Sequence, residues 1–442
     1  MKKSIFLNII KWIGIFLGLI LIYIILLLIV SSFPSKYIKN HVAESADFFV
    51  ENTKSQSEII QLPYKFVNLF HFTNALMINT AYSIDSTHPL EAALTAKKNY
   101  IPNITTTIYT VTPKDLQSAS KYYDDTSSKT DAYQVEELYD TVYENDLTES
   151  FEYARYWHGY LVFLRPLLLF LNYKQISILM LVLFLGLLGG NCYLLAKKSG
   201  IWSAVALVFA YLLVDTLFVT RSLNEITCFI LALIFSIGIL LRNKKSMGLA
   251  IYFFLIGSIT NFVDFLTNPI ITYGMPITMF FIVNEEKSMR KTFKIYFQTA
   301  IAWAIGYGLT WGSKWVITDL VLHRNIISNA IEQILFRTND NSYNMDLLVE
   351  RVQFYLSNMT IFIIGIVLVI FAINPKRERE HNDFLETFPF FIAILIPIVW
   401  YMVVLNHSIV HTFFTYRNMI VSIFALEIFA LKMANRVKKG ID

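Results

Sequence analysis

The sequence predicts an all-α polytopic membrane protein of about ten transmembrane helices, with a small, mainly helical extracytoplasmic domain in its first outer loop. Three observations carry this. Of the 442 residues, 55% are hydrophobic and only 16% are charged, against roughly 25% charged in a soluble domain; mean hydropathy is +0.50. Apolar runs near the length that crosses a bilayer, about 20 residues, recur along the chain. Clusters of Lys and Arg stand at alternate ends of those runs, as they do when basic loops stay inside. A soluble chain of this size could not bury so much apolar surface, which excludes a soluble enzyme, a disordered chain and a disulfide scaffold. The net charge of +4 is too small to suggest nucleic acid.

The elements follow in order. Trp12–Val30 comes after Lys2, Lys3 and Lys11 and has no small-residue cleavage site; it reads as an uncleaved signal anchor with its N-terminus inside. Ile176–Leu195 ends at Lys197 and Lys198, Ile201–Phe218 at Arg221, and Ile226–Leu241 at Arg242, Lys244 and Lys245. Gly248–Val283 is too long for one span; Asn268-Pro269 turns it into a hairpin that closes on Lys287, Arg290 and Lys291. Ile295–Trp311 follows, then Ile361–Ile373 running down to Lys376, Arg377 and Arg379. Phe388–Leu405 rises, and Met419–Leu431 returns to Arg436, Lys438 and Lys439. Both termini are then cytoplasmic. The divisions are 1–32 (anchor), 33–157 (outer domain), 158–312 (membrane helices), 313–352 (outer interfacial segment) and 353–442 (C-terminal membrane helices). No internal repeat or inverted pair of halves is present, which counts against a transporter.

Segment 33–157 holds ten Lys/Arg against seventeen Asp/Glu, a net of −7 that leaves +11 for the rest. Helical patterns cover Leu90–Lys98, Lys114–Tyr123 and Ala132–Tyr143, and the acidic run Asp124–Glu152 reads as a solvated face that keeps the loop outside. In Ser313–Arg351, Val316, Leu320, Ile327, Ile331 and Leu335 recur at helical or doubled spacing, the pattern of a helix lying in the interface plane with Trp315 as anchor. Cys192 and Cys228 both lie in apolar runs and read as core residues. Without a disulfide framework, a bacterial cell envelope is the expected setting.

On this topology seven of the eight histidines face outward, and three blocks gather groups able to do chemistry at the outer surface. The first is Tyr153-Ala-Arg-Tyr-Trp-His-Gly-Tyr, continuing to Arg165. Arg155, His158 and Arg165 suit a lipid phosphate, or else snorkel within an aromatic belt. His158–Asn172 is short for a span and reads as interfacial or re-entrant. The second is Asn261-Phe-Val-Asp-Phe-Leu-Thr-Asn-Pro, where Asp264 stands alone in an apolar hairpin; such a carboxylate faces a cavity or a cationic partner. In the third, Asn406–Arg417, His407 and His411 share a helical face and, with Arg417, offer donors to an anion. No HExxH, CxxC, GxSxG or P-loop pattern is present, so neither a metal site nor a hydrolase or ATPase signature can be read. No cofactor is implied, although the outer acids could take a divalent cation weakly.

Basic groups at headgroup level beside a carboxylate suit one chemistry: a lipid-phosphate-linked sugar enters from the bilayer, Arg and His hold its phosphate, and a carboxylate activates an acceptor hydroxyl. The layout of one N-terminal span, a long first outer loop, many further spans and amphipathic outer helices resembles the GT-C class of polyprenyl-phosphate-sugar-dependent glycosyltransferases. That resemblance implies a polyprenyl-phosphate sugar donor, a cell-envelope glycan acceptor and catalysis at the outer face. It also implies a catalytic acid in the first outer loop, close to the end of the first helix. The matching stretch is Ser35–Asp47, with Glu44 and Asp47, although the first acid comes over ten residues after the helix. The base therefore stays open among Asp47, Asp85 and Asp264. The alternatives are a polysaccharide polymerase or ligase, a lipid or small-molecule transporter, and a non-catalytic scaffold or sensor.

Overall fold

The computed structural model describes residues 2–54, 58–62, 65–69, 71–100, 127–144, 149–243, 246–338, 344–353, 355–356, 363 and 381–434. Helix α1 (Lys2–Ser32) leads into a cap built from α2 (Lys39–Lys54), β1 (Glu58–Leu62), β2 (Lys65–Leu69), α3 (Phe72–Tyr82), α4 (Pro89–Thr95), β3 (Lys98–Tyr100), α5 (Ser127–Tyr143) and β4 (Glu149–Phe151). A short α6 (Leu161–Leu168) is followed by α7 (Tyr173–Ser199), α8 (Ile201–Leu213), α9 (Thr216–Val219), α10 (Glu225–Leu240), α11 (Leu249–Val263) and α12 (Ile270–Val283). The C-terminal part holds α13 (Met289–Leu322), α14 (Ile326–Thr338), α15 (His381–Val403), α16 (Leu405–Val410), α17 (Thr412–Thr415) and α18 (Ile420–Met433).

Among the described residues, four helical stretches are long and apolar enough to cross a membrane: Ile10–Ser32, Tyr173–Ser199, Phe384–Val403 and Thr412–Met433. The described residues are mainly helical, which is compatible with an all-α, membrane-embedded protein. Helices α8, α10, α11 and α12 have 13, 16, 15 and 14 residues, so at about 1.5 Å per residue they fall short of a hydrocarbon core about 30 Å thick. The expected run Ile201–Phe218 stops at Leu213 because Asp215 turns the chain in a left-handed conformation, φ 58°. Conversely, Ile295–Trp311 lies inside the 34-residue α13, roughly 51 Å long.

The cap carries two antiparallel ladders that the helical patterns did not foretell, Glu58↔Leu69 through Leu62↔Lys65 and Lys98↔Phe151 through Tyr100↔Glu149. The patterns Leu90–Lys98 and Ala132–Tyr143 fall on α4 and α5, the first losing its end to β3; Lys114–Tyr123 lies outside the described residues. The acidic run is not wholly solvated: Glu137 is buried and pairs with Lys98 at 2.5 Å, and Gln134 accepts from the same ammonium at 2.9 Å. Burial holds the Lys98 amine below its ordinary pKa, opposed by the attraction of Glu137. The single interfacial helix expected over 316–335 is two helices. Val316 and Leu320 belong to α13, which ends at His323 in a left-handed cap, φ 53°. The carboxylate of Asp319 then accepts from the amides of Ile326 and Ile327 and starts α14.

Two cores meet along α1. One face of its C-terminal half, Tyr23, Leu27 and Val30, joins cap residues such as Val42, Phe49 and Ile78. Tyr23 also stacks on Phe262 of α11, centroids 4.0 Å apart, and hydrogen-bonds Ser258 at 3.0 Å. Ser258 meets Thr310 at 2.7 Å, and the indole of Trp157 donates to the Thr310 carbonyl at 2.6 Å. That chain fixes α1, α11, α13 and the strip before α6 to one another. Helices α11 and α13 approach backbone to backbone: a Cβ on Gly257 would lie 2.0 Å from the Trp303 carbonyl oxygen, and one on Gly306 2.2 Å from that of Phe254. Small residues permit such contact where no water-driven force brings helices together.

Candidate functional site

The three blocks singled out in the sequence come together. Gly159 N–H donates to the Phe262 carbonyl at 2.8 Å, and the His158 ring lies 5.1 Å from that of Phe265. On the other side His407 Nε2 is 2.7 Å from the Leu266 carbonyl, with the His411 ring 4.7 Å from that of His407. The hairpin 261–268 is therefore the keystone between the strip 153–160 and the segment 405–418. Gly159 is required there, since a Cβ would lie 2.4 Å from the Phe262 oxygen. Most of these groups, however, are consumed in bonds to the protein.

Asp264, 2% exposed, accepts from the Thr267 amide at 3.2 and 3.1 Å and from the Thr267 hydroxyl, closing the hairpin on itself. Arg165, fully buried, donates to the carbonyls of Val30 (2.8 Å), Phe33 (2.6 Å) and Ala81. Val30 and Ala81 lie in the last turns of α1 and α3, where carbonyls lack helical partners and the helix dipole favours a cation. The residue thus plugs two helix ends rather than facing a ligand. His158 is buried in the left-handed region, φ 55°, with Nε2 2.7 Å from the Tyr153 carbonyl and Tyr153, Tyr160 and Phe265 around its ring. Arg417 pairs with Glu225 at 2.9 Å and donates to the carbonyls of Val214 and Phe413. The next residue back, Tyr416, donates to Asp215 at 2.7 Å. Glu225 was missed in the sequence because it opens α10 beside an apolar run, and its partner is 192 residues away.

Arg155, half-buried, keeps its head nearer the surface, donating to Asn329 of α14 at 2.7 Å. Its carbonyl accepts from the indoles of both Trp311 and Trp315, at 2.9 and 3.0 Å. A small cleft lies here between Tyr156, the two tryptophans and Gln333 and Ile334 of α14. On α14 the side chains of Ile327, Ile331 and Leu335 are exposed.

The three candidate carboxylates have separate fates. Asp264 is closed off as described. Asp47 lies on the exposed face of α2, held by the Tyr143 hydroxyl at 3.0 Å to both oxygens, and its neighbour Glu44 accepts from Asn172 at 2.7 Å. Asp85 borders an open pocket, together with His88, Glu91, Thr95 and Lys97. Its side chain is 55% exposed and that of His88 70%, with Asp85 Oδ2 2.8 Å from His88 Nδ1. Hydrogen bonds from the Thr87 hydroxyl, His88 and the Thr87 amide hold the Asp85 carboxyl well below its usual range, at about 2.

Folding carries Asp85 to the end of the first helix, although it is far along the chain. Ser35, just past α1, donates to the Ile84 carbonyl at 3.2 Å, and α4 packs against α1. The far end of α4 is fixed by the buried Lys314 of α13, whose ammonium donates to the Ala93 and Leu94 carbonyls at 3.2 and 2.7 Å and lies 5.4 Å from the Trp157 ring. Lys97, Glu91, Glu152 and Arg324 form an alternating charge network on the pocket's rim, with Lys97–Glu91 at 2.8 Å and Arg324–Glu152 at 3.1 Å. His88 and Lys314 carry no local motif; only their neighbours in space single them out. Compared with known proteins, the chain matches no family model, no curated protein and no solved structure.

Proposed function

We propose that this chain is a multi-pass membrane transferase with about ten spans and both termini cytoplasmic. It moves a sugar from a polyprenyl-phosphate carrier to a cell-envelope glycan acceptor at the outer surface, without a resident cofactor. One observation carries this reading: an exposed carboxylate, Asp85, stands in an open polar pocket directly beyond the end of the first apolar helix. That is where the GT-C resemblance expects the acid, although the residue comes 50 positions later than the matching stretch begins. In a separate cleft, Arg155 with Trp311, Trp315 and the exposed apolar face of α14 offers a cation and an interfacial surface to a lipid phosphate. The phosphate ester of the donor supplies the driving force, so no nucleotide is needed at this face.

A non-catalytic membrane scaffold is the second reading. It is favoured by the structural employment of Asp264, Arg165, His158 and Arg417 in protein-to-protein bonds. The test is release of polyprenyl phosphate from polyprenyl-phosphate-linked glucose or mannose by the purified full chain in nanodiscs. Transfer that disappears in Asp85→Ala supports the enzyme; transfer unchanged in that variant removes Asp85 from the reaction, and no transfer by the wild type favours the scaffold. Labelling of single cysteines from outside intact cells checks orientation: Ser86→Cys should react and Lys198→Cys should not.

A further inference from the structure

We propose that His88, not a carboxylate, is the group that takes the proton from the attacking hydroxyl, and that Asp85 is its positioning residue. This rests on the transferase reading above and names the proton acceptor of that same pocket. An ionised carboxylate can only accept hydrogen bonds. The 2.8 Å contact between Asp85 Oδ2 and His88 Nδ1 therefore places the imidazole proton on Nδ1. In the neutral ring that leaves the lone pair on Nε2, the nitrogen a base needs.

Asp85 is itself fixed by Thr87, its Oδ1 accepting from the Thr87 amide at 2.8 Å and the Thr87 hydroxyl at 2.6 Å. The ring is thus oriented by a carboxylate that is oriented in turn, the arrangement by which hydrolytic triads set their base. With its pKa held at about 2, the carboxylate is a poor proton acceptor near neutral pH. The other charged groups at the pocket, Glu91, Lys97, Glu152 and Arg324, are paired among themselves.

In the step, the acceptor oxygen forms a bond to the anomeric carbon as the bond from that carbon to the phosphate oxygen breaks. The bonding pair leaves with the polyprenyl phosphate. The hydroxyl proton passes to His88 Nε2, and the imidazolium then returns it to water.

The full chain, labelled with 15N-histidine and held in lipid bilayers, allows the tautomer to be read by solid-state NMR, His88 being assigned by difference from His88→Gln. In wild type the ring should be protonated at Nδ1. In Asp85→Asn the amide can donate to Nδ1 and should move the proton to Nε2. With polyprenyl-phosphate-linked glucose and mannose as probes, His88→Gln should lower transfer by ~10²–10⁴-fold and Asp85→Asn by about 10⁴-fold, with KM little changed. A wild-type ring protonated at Nε2, or full transfer by His88→Gln, overturns the proposal while leaving the transferase reading in place. Absence of transfer by the wild type overturns both. Because both side chains are mainly exposed, neither variant should lose its fold, and circular dichroism checks this.

Discussion

Replacing Arg165 with Met separates the two roles a buried arginine in this position could have. The guanidinium satisfies three carbonyls, those of Val30, Ala81 and the part-buried Phe33, and lies 4.4 Å from the Phe33 ring. Met keeps much of the apolar stem but offers no donor. A buried acceptor left without a partner costs ~1–3 kcal/mol, so three would cost roughly 3–9 kcal/mol if nothing moved. Carbonyls in a last helical turn relax toward neighbouring amides, which brings the expected loss to about 3–6 kcal/mol. Arg165→Lys should fall between, since one ammonium cannot span three carbonyls on different elements. The assay is equilibrium unfolding of the purified protein in mixed micelles, followed by tryptophan fluorescence; Trp157 reports directly, being buried in the same core. A loss below about 1 kcal/mol, together with weakened binding of an anionic lipid, would refute the helix-plug account and restore a ligand-binding role for this arginine.

Three further outcomes are expected. Gly257→Val and Gly306→Val should each abolish the folded monomer in size-exclusion chromatography, because a Cβ meets backbone at 2.0 and 2.2 Å; Gly308→Ala, with nothing within 4 Å, should be neutral. Glu225→Gln should destabilise by about 3–5 kcal/mol by removing the carboxylate that pairs with Arg417 in the interior, and the double variant with Arg417→Met should recover a large part of it in an unfolding cycle. Hydrogen exchange at the Thr87 amide should report the Asp85 turn. The folded carboxyl titrates at about 2 against 3.8 for an ordinary aspartate, so the turn is fully supported above pH 3.8 and loses that support as pH falls through about 2. Loss of protection already at pH 5 would contradict it.

Composition and run length were enough to determine the class of fold, because apolar content on this scale has few other solutions. The same holds for the hairpin turn at Asn268-Pro269, the helix in Ala132–Tyr143 and the pairing of His407 with His411, all set by local spacing. The three blocks flagged as chemistry do meet in space. Their roles were not legible, because whether a buried charge is free to act depends on what lies opposite. Arg165 meets carbonyls 84 and 135 residues away, and Arg417 meets an acid 192 residues away. Tertiary structure alone decided which carboxylate is left open. Asp264 is closed by its own turn, while Asp85 is delivered to the end of the first helix by a hydrogen bond across 49 residues. Local pattern records which side chains are present and how they recur; their solvent exposure and partners are settled only when distant segments pack.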